Sequence, residues 1–204
     1  MDPMTHETLI ALALYALVTS VTPGPNNLML LASGVNFGFR QTIPHMLGIS
    51  LGFTAMVALV GFGLGAVLTL FPIVFNVLRV LALVYMVWLS WKLASSGSLG
   101  SGDAKARPMT FIEAALFQWI NPKAWAMALT ATTLYTVPDM YYLSVILVAG
   151  IFGVVNLPSV SCWAGFGVAL RGFLSVPARL RIFNVGMALL LLLSTLPFIR
   201  ELIP

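Results

Sequence analysis

Apolar positions along this chain gather into six long runs, and the polar positions fall mostly in the stretches between them. The runs cover roughly residues 7–33, 43–70, 73–94, 110–137, 140–170 and 182–199. A helix needs about 20 apolar residues to cross the hydrocarbon of a bilayer, so each run predicts one crossing, the sixth being the shortest. The opening MDPMTHE has no positive n-region, and the apolar run behind it outlasts a cleavable signal. It reads as a retained first span.

Composition agrees with the pattern. Hydrophobic residues make up 60% of the 204 residues and charged residues 8%, and the mean hydropathy is +1.01, so lipid is the solvent for most of the surface. The expectation is an all-α integral membrane protein with six transmembrane helices. The net charge of +4 comes from basic residues scattered in ones and twos, which form no stripe for phosphates. Nucleic acid is not an expected partner. Topology accounts for the charge better: Arg40, Lys92, Lys105, Arg107, Arg171, Arg179 and Arg181 flank connections on one side, against Arg79 and Arg200 on the other. The excess marks the cytoplasmic face, which puts both termini on the opposite, outer side. Lys123 falls inside the fourth run.

Residues 95–108, rich in Gly, Ser and charge, read as a cytoplasmic linker. Gly97 and Gly102 there have the spacing of a phosphate loop, but Asp103 stands where its lysine must be. The linker separates halves that resemble each other. FNV occurs at 75–77 and at 183–185, GI begins at Gly48 and at Gly150, and Pro23 and Pro122 interrupt the first span of each half. Ordered matches in all three spans argue for a duplicated unit, with repeat one at about 7–94 and repeat two at about 110–200 in a single membrane transport domain over 1–204. A three-span unit places its second copy upside down, and inverted repeats with helices broken at matching positions point to a transporter's central site.

The first break lies in VTSVTPGPNNLMLL. Pro23 and Pro25 lack amide hydrogens, so the carbonyls of Thr19 and Val21 lose their helical partners. The helix restarting at Pro25 has the opposite deficit, with the amides of Asn26, Asn27 and Leu28 unpaired at its positive end. Gly24 lies between the prolines. A zwitterionic amino acid suits both ends, its carboxylate on the amides and its ammonium on the carbonyls. In FQWINPKAW, Pro122 frees the carbonyl of Gln118, Asn121 adds a polar side chain, and Lys123 lies too deep to reach the interface comfortably. A cation there is expected to hold an anionic group.

Other candidates carry weaker signals. His45, beside Pro44 at the cytoplasmic mouth of the second span, is a candidate proton carrier. Asn156, with Pro158, interrupts the fifth span and is either interhelical glue or a ligand. Gly48 with Gly52, and Gly61 with Gly65, fit close helix packing. An enzyme is not expected: no HExxH occurs, and His45 has no evident serine partner. A membrane thiol-disulfide electron carrier needs two exchanging cysteines, and the chain has only Cys162. A non-transporting membrane assembly subunit is the other alternative. No metal or cofactor is expected.

TPGPNN in span one, GFRQ and GISLGF after it, VYMVWLSWKL in span three, NPKAW in span four, CW in span five and RIFNVGMALLLLL at the end together resemble the lysine exporter and homoserine/threonine exporter family (LysE/RhtB). The resemblance covers nearly the whole chain. It implies a bacterial inner-membrane exporter of amino acids, with six hydrophobic segments and drive from the proton motive force. TPGPNN is also similar to the branch that exports cysteine and O-acetylserine. The expected partners are then a small amino acid, the lipid bilayer, a coupling proton and a second copy of the chain in a homodimer. Members that carry basic amino acids have acidic residues inside their membrane segments. Here Asp2, Glu7, Asp103, Glu113, Asp139 and Glu201 all lie at or near segment ends. A cationic side chain would meet no buried counter-charge, so the expected substrates are small neutral amino acids or their derivatives, moved by alternating access.

Overall fold

A computed structural model of the chain describes residues 5–95 and 107–196, and those residues form helices and no strand. The linker at 96–106, with its phosphate-loop lookalike, and the end of the sixth run, with Arg200, lie outside the described residues.

Helix α1 (His6–Val21) is capped by Thr5, whose hydroxyl accepts the Thr8 amide at 3.2 Å. It stops at the first proline. Helix α2 (Pro25–Phe37) restarts at the second, and the pair is bent by 54°. Gly38, at φ 83, turns the chain into α3 (Phe39–Leu59), a conformation that favours glycine. A π-helical segment, Val60–Leu64, kinks α3 into α4 (Gly65–Leu70) around Gly63, at φ 118. Tyr141 donates its hydroxyl to the Gly61 carbonyl in that kink at 2.7 Å. Helices α5 (Pro72–Ala94) and α9 (Pro177–Leu193) both open on a proline, and α8 (Tyr141–Leu170) is the longest helix described.

The fourth run is divided like the first. Helix α6 (Phe111–Phe117) opens with a capping box between Thr110 and Glu113, and Arg107 grips the Glu113 carboxylate with two bonds of 2.7 and 2.6 Å. A 3-10 turn, Gln118–Ile120, leads to Pro122, where α7 (Pro122–Leu134) begins. Lys123 is therefore the second residue of a new helix, not a point deep in a continuous one. The proline in the fifth run behaves differently from expectation: α8 runs unbroken through Pro158. Pro158 costs the Val154 carbonyl its helical amide, while the Ser159 and Ser161 hydroxyls bond other carbonyls, those of Val155 and Leu157, and the helix continues.

Among the described residues, Phe39–Val67, Asn76–Ala94 and Pro138–Leu170 are long and apolar enough to cross a bilayer, and the bent α1–α2 pair is a fourth. Proline divides α6 from α7, and α9 has 17 residues, so neither reaches that length alone. Helix α8 packs against α1, α2 and α3, α3 also packs against α6, and α5 lies on α9. Glycine makes these approaches close. A Cβ on Gly34 would strike the Ala164 carbonyl, and one on Gly167 the Leu31 carbonyl, where α2 crosses α8. The Phe152 ring meets Phe53 edge-on at 5.3 Å and Tyr15 at 6.1 Å, in a core that joins α1, α3, α7 and α8 next to the two helix breaks.

Candidate functional site

The two broken spans meet at their breaks. At the end of α1, each carbonyl that the prolines expose finds a protein donor. The Thr22 hydroxyl donates to the Thr19 carbonyl at 3.0 Å, and the Trp163 indole of α8 to the Val21 carbonyl at 3.0 Å. The Asn27 amide donates to the carbonyls of Ser20 at 2.8 Å and Thr22 at 2.9 Å. This corrects the expectation that the carbonyls of Thr19 and Val21 are left open. A bare carbonyl in a buried break is costly, and side chains from nearby and from α8 meet that cost.

The start of α2 is different. Gly24 occupies its N-cap position and no side chain caps it. The Leu28 amide reaches the Gly24 carbonyl at 3.0 Å, contrary to expectation, but those of Asn26 and Asn27 meet no acceptor among the described residues. Two amide hydrogens and the positive end of a 13-residue helix thus face the break.

The second break is mostly closed by its own residues, so the Gln118 carbonyl is not free as expected, and only the Ala124 amide meets no acceptor among the described residues. The Asn121 amide bonds the Gln118 carbonyl at 3.2 Å in the 3-10 turn, and the Asn121 side chain accepts the Lys123 amide at 3.1 Å as an N-cap. Its longer side chains cross to the first break. Gln118 and Asn26 exchange a pair of amide bonds, at 2.8 and 3.3 Å, while Gln118 also donates to the Ala114 carbonyl at 2.9 Å. The Lys123 ammonium donates to the Thr22 carbonyl at 2.7 Å and lies 2.8 Å from the Thr22 hydroxyl.

Between the breaks is a small cleft of about 30 Å³, part of it open to the outside. Thr19, Ser20, Gly24, Asn26 and Asn27 line it from the first broken span, Gln118, Asn121, Lys123, Ala124 and Met127 from the second, and Phe53 from α3. The structure therefore brings seven of the expected site residues to one place. Val21, Pro23, Pro25 and Pro122 shape the breaks without lining the cleft. Asn156 lies behind it, donating to the Ser20 hydroxyl at 3.2 Å, with its own Oδ1 buried and unpaired. His45 is elsewhere. It is 2% exposed, not open at a mouth, and neither ring nitrogen has a partner. It shares a face of α3 with Gly48 and Gly52, the glycines that press on α6.

Sequence reasoning missed Thr22, Ser20 and Trp163. A signal existed for two: a hydroxyl beside a helix-breaking proline, as in Thr22, finds local carbonyls, and an indole inside an apolar span needs an acceptor. Phe53 and Met127 carried no such signal.

The chain is 32% identical to a cysteine/O-acetylserine efflux protein of Escherichia coli O139:H28 over 193 residues, covering 93% of this chain and 96% of the relative. The proteins of the same name from Escherichia coli K12 and Shigella flexneri serotype 5b are each 32% identical over 192 residues, covering 92% of this chain and 95% of the relative. No solved structure matches. The family model described as LysE type translocator matches residues 17–202, and the chain belongs to that family.

Proposed function

We propose that the protein is a secondary transporter of the bacterial inner membrane that exports small neutral amino acids or their derivatives by alternating access. The observation that carries this reading is the cleft between two helix breaks, where the unpaired amides of Asn26 and Asn27 lie near the carbonyl end of α1. The amides suit a carboxylate and the carbonyl end suits an ammonium. No carboxylate side chain lines the cleft, which disfavours lysine and arginine. The relatives' names add support, since cysteine and O-acetylserine are both small amino acids without a cationic side chain.

Six spans in two inverted repeats suit the packing. Exchanging the halves turns α1 against α8 into α6 against α3 and returns α3 against α8 and α5 against α9 to themselves, and all of these contacts occur. His45, buried with both nitrogens unpaired, remains the candidate for a coupling proton.

Purified protein in liposomes decides the function. Cysteine and O-acetylserine should be taken up against an imposed pH gradient, and lysine and arginine should not; no flux of any amino acid would leave an assembly subunit as the better reading. Orientation is a separate matter. A single cysteine at Ser98 should resist a membrane-impermeant thiol reagent in intact cells, while one at Pro204 reacts. The opposite labelling would invert the topology.

A further inference from the structure

Lys123 is placed where its own helix does not favour it. As the second residue of α7 it lies at the positive end of that helix's dipole, and no carboxylate of a described residue pairs with it. Its side chain instead crosses to the negative end of α1. Of the four carbonyls there, those of Thr19, Ser20 and Val21 are held by neutral groups, and only the Thr22 carbonyl takes a cation. The stem runs over Gly24, where a Cβ would come within 2.7 Å of the Lys123 Cδ. Gly24 has φ −170, extended backbone open to any residue. The space for the lysine stem, not the backbone torsion, is what calls for glycine.

We propose that Lys123 is a tethered stand-in for the substrate's ammonium. In the structure its Nζ occupies the Thr22 carbonyl and hydroxyl; on loading, the ammonium of the incoming amino acid takes that place and Lys123 turns to the incoming carboxylate. This rests on the exporter reading and refines it. The exchange explains how one site selects a zwitterion over either of its halves. An amine alone would evict Lys123 and leave a half-buried cation with no partner. A carboxylic acid alone would draw Lys123 away and leave the Thr22 carbonyl without its cation. An amino acid replaces one ammonium by another and adds an anion for the one displaced.

The experiment compares L-cysteine, cysteamine and 3-mercaptopropionate, kept reduced, as ligands of the detergent-purified protein and its Lys123→Met and Gly24→Ala variants. The wild type should bind cysteine at least tenfold more tightly than cysteamine. Lys123→Met removes the competing ammonium, so cysteamine should bind at least tenfold more tightly than it does to the wild type, while 3-mercaptopropionate weakens. Gly24→Ala unseats the lysine stem and should shift cysteamine in the same direction by a smaller factor, which decides the matter if Lys123→Met does not fold. Unchanged or weaker cysteamine binding in the folded variants would overturn the exchange, leaving Lys123 as a plain anion partner and the exporter reading intact. Failure of the wild type to bind cysteine at all would count against the exporter reading, and against the exchange with it.

Discussion

The two helix breaks line one cleft, yet they solve the same backbone problem in different ways. At the second, Asn121 closes the 3-10 turn with its backbone and caps α7 with its side chain. At the first, the carbonyl side draws donors from Asn27, Trp163 and Lys123, and the amide side of α2 has no side-chain cap. The second break leaves only the Ala124 amide without an acceptor among the described residues and sends Gln118 and Lys123 outward; the first receives them and leaves two such amides, those of Asn26 and Asn27.

The comparison is tested most severely by removing the first break. Pro23→Ala with Pro25→Ala restores amide hydrogens for the Thr19 and Val21 carbonyls, about two hydrogen bonds at ~1 kcal/mol each. Those bonds would replace the ones now made by the Thr22 hydroxyl and the Trp163 indole. The expected outcome is a folded protein in which cysteine affinity falls by a hundredfold or more, measured by ligand-induced thermal shift and liposome flux. Wild-type affinity in that double variant would mean that the bend is only a kink and that the site lies elsewhere.

Next in size is the link between the breaks. Gln118 is fully buried and exchanges two bonds with Asn26. In Gln118→Leu the volume is nearly kept, the Asn26 side chain loses its partner, and the two broken spans lose a direct polar tie. Cysteine flux should fall about tenfold, with a stability loss of about 1–3 kcal/mol for stranding a buried polar group. A loss of stability with flux unchanged would show that the link is mortar between helices and not part of the cleft.

The contrast also shows how far the sequence could be read. Proline chemistry is local, so Pro23, Pro25 and Pro122 announce the breaks, and the opening residues of α2 announce a helix start without knowledge of the fold. The roles at the first break are long-range. Trp163 belongs to α8, and its indole reaches Val21 where α1 packs against that helix. Lys123 is legible as a cation out of place, but its acceptors are not, since the Thr22 carbonyl and hydroxyl lie on the other broken span. Pro158 shows the converse, since α8 gives up one backbone bond there and continues. A proline in the sequence does not by itself tell a break from a helix that runs on.

The smallest expected effect sharpens the comparison most, because it asks whether the second break touches the solute. Asn121 is 2% exposed, lines the cleft and caps α7, so a structural role and a contact role coincide in one residue. Asn121→Ala removes both, and Asn121→Ser keeps a capping oxygen while withdrawing the longer amide from the cleft. If the second break is self-sufficient, Ala should lower stability by about 1 kcal/mol and Ser should recover most of that. Cysteine affinity should change less than threefold in either. If Ser instead restores stability but loses tenfold in affinity, the Asn121 amide contacts the solute directly. The two breaks would then both receive the substrate, and the asymmetry between them would be confined to their backbones.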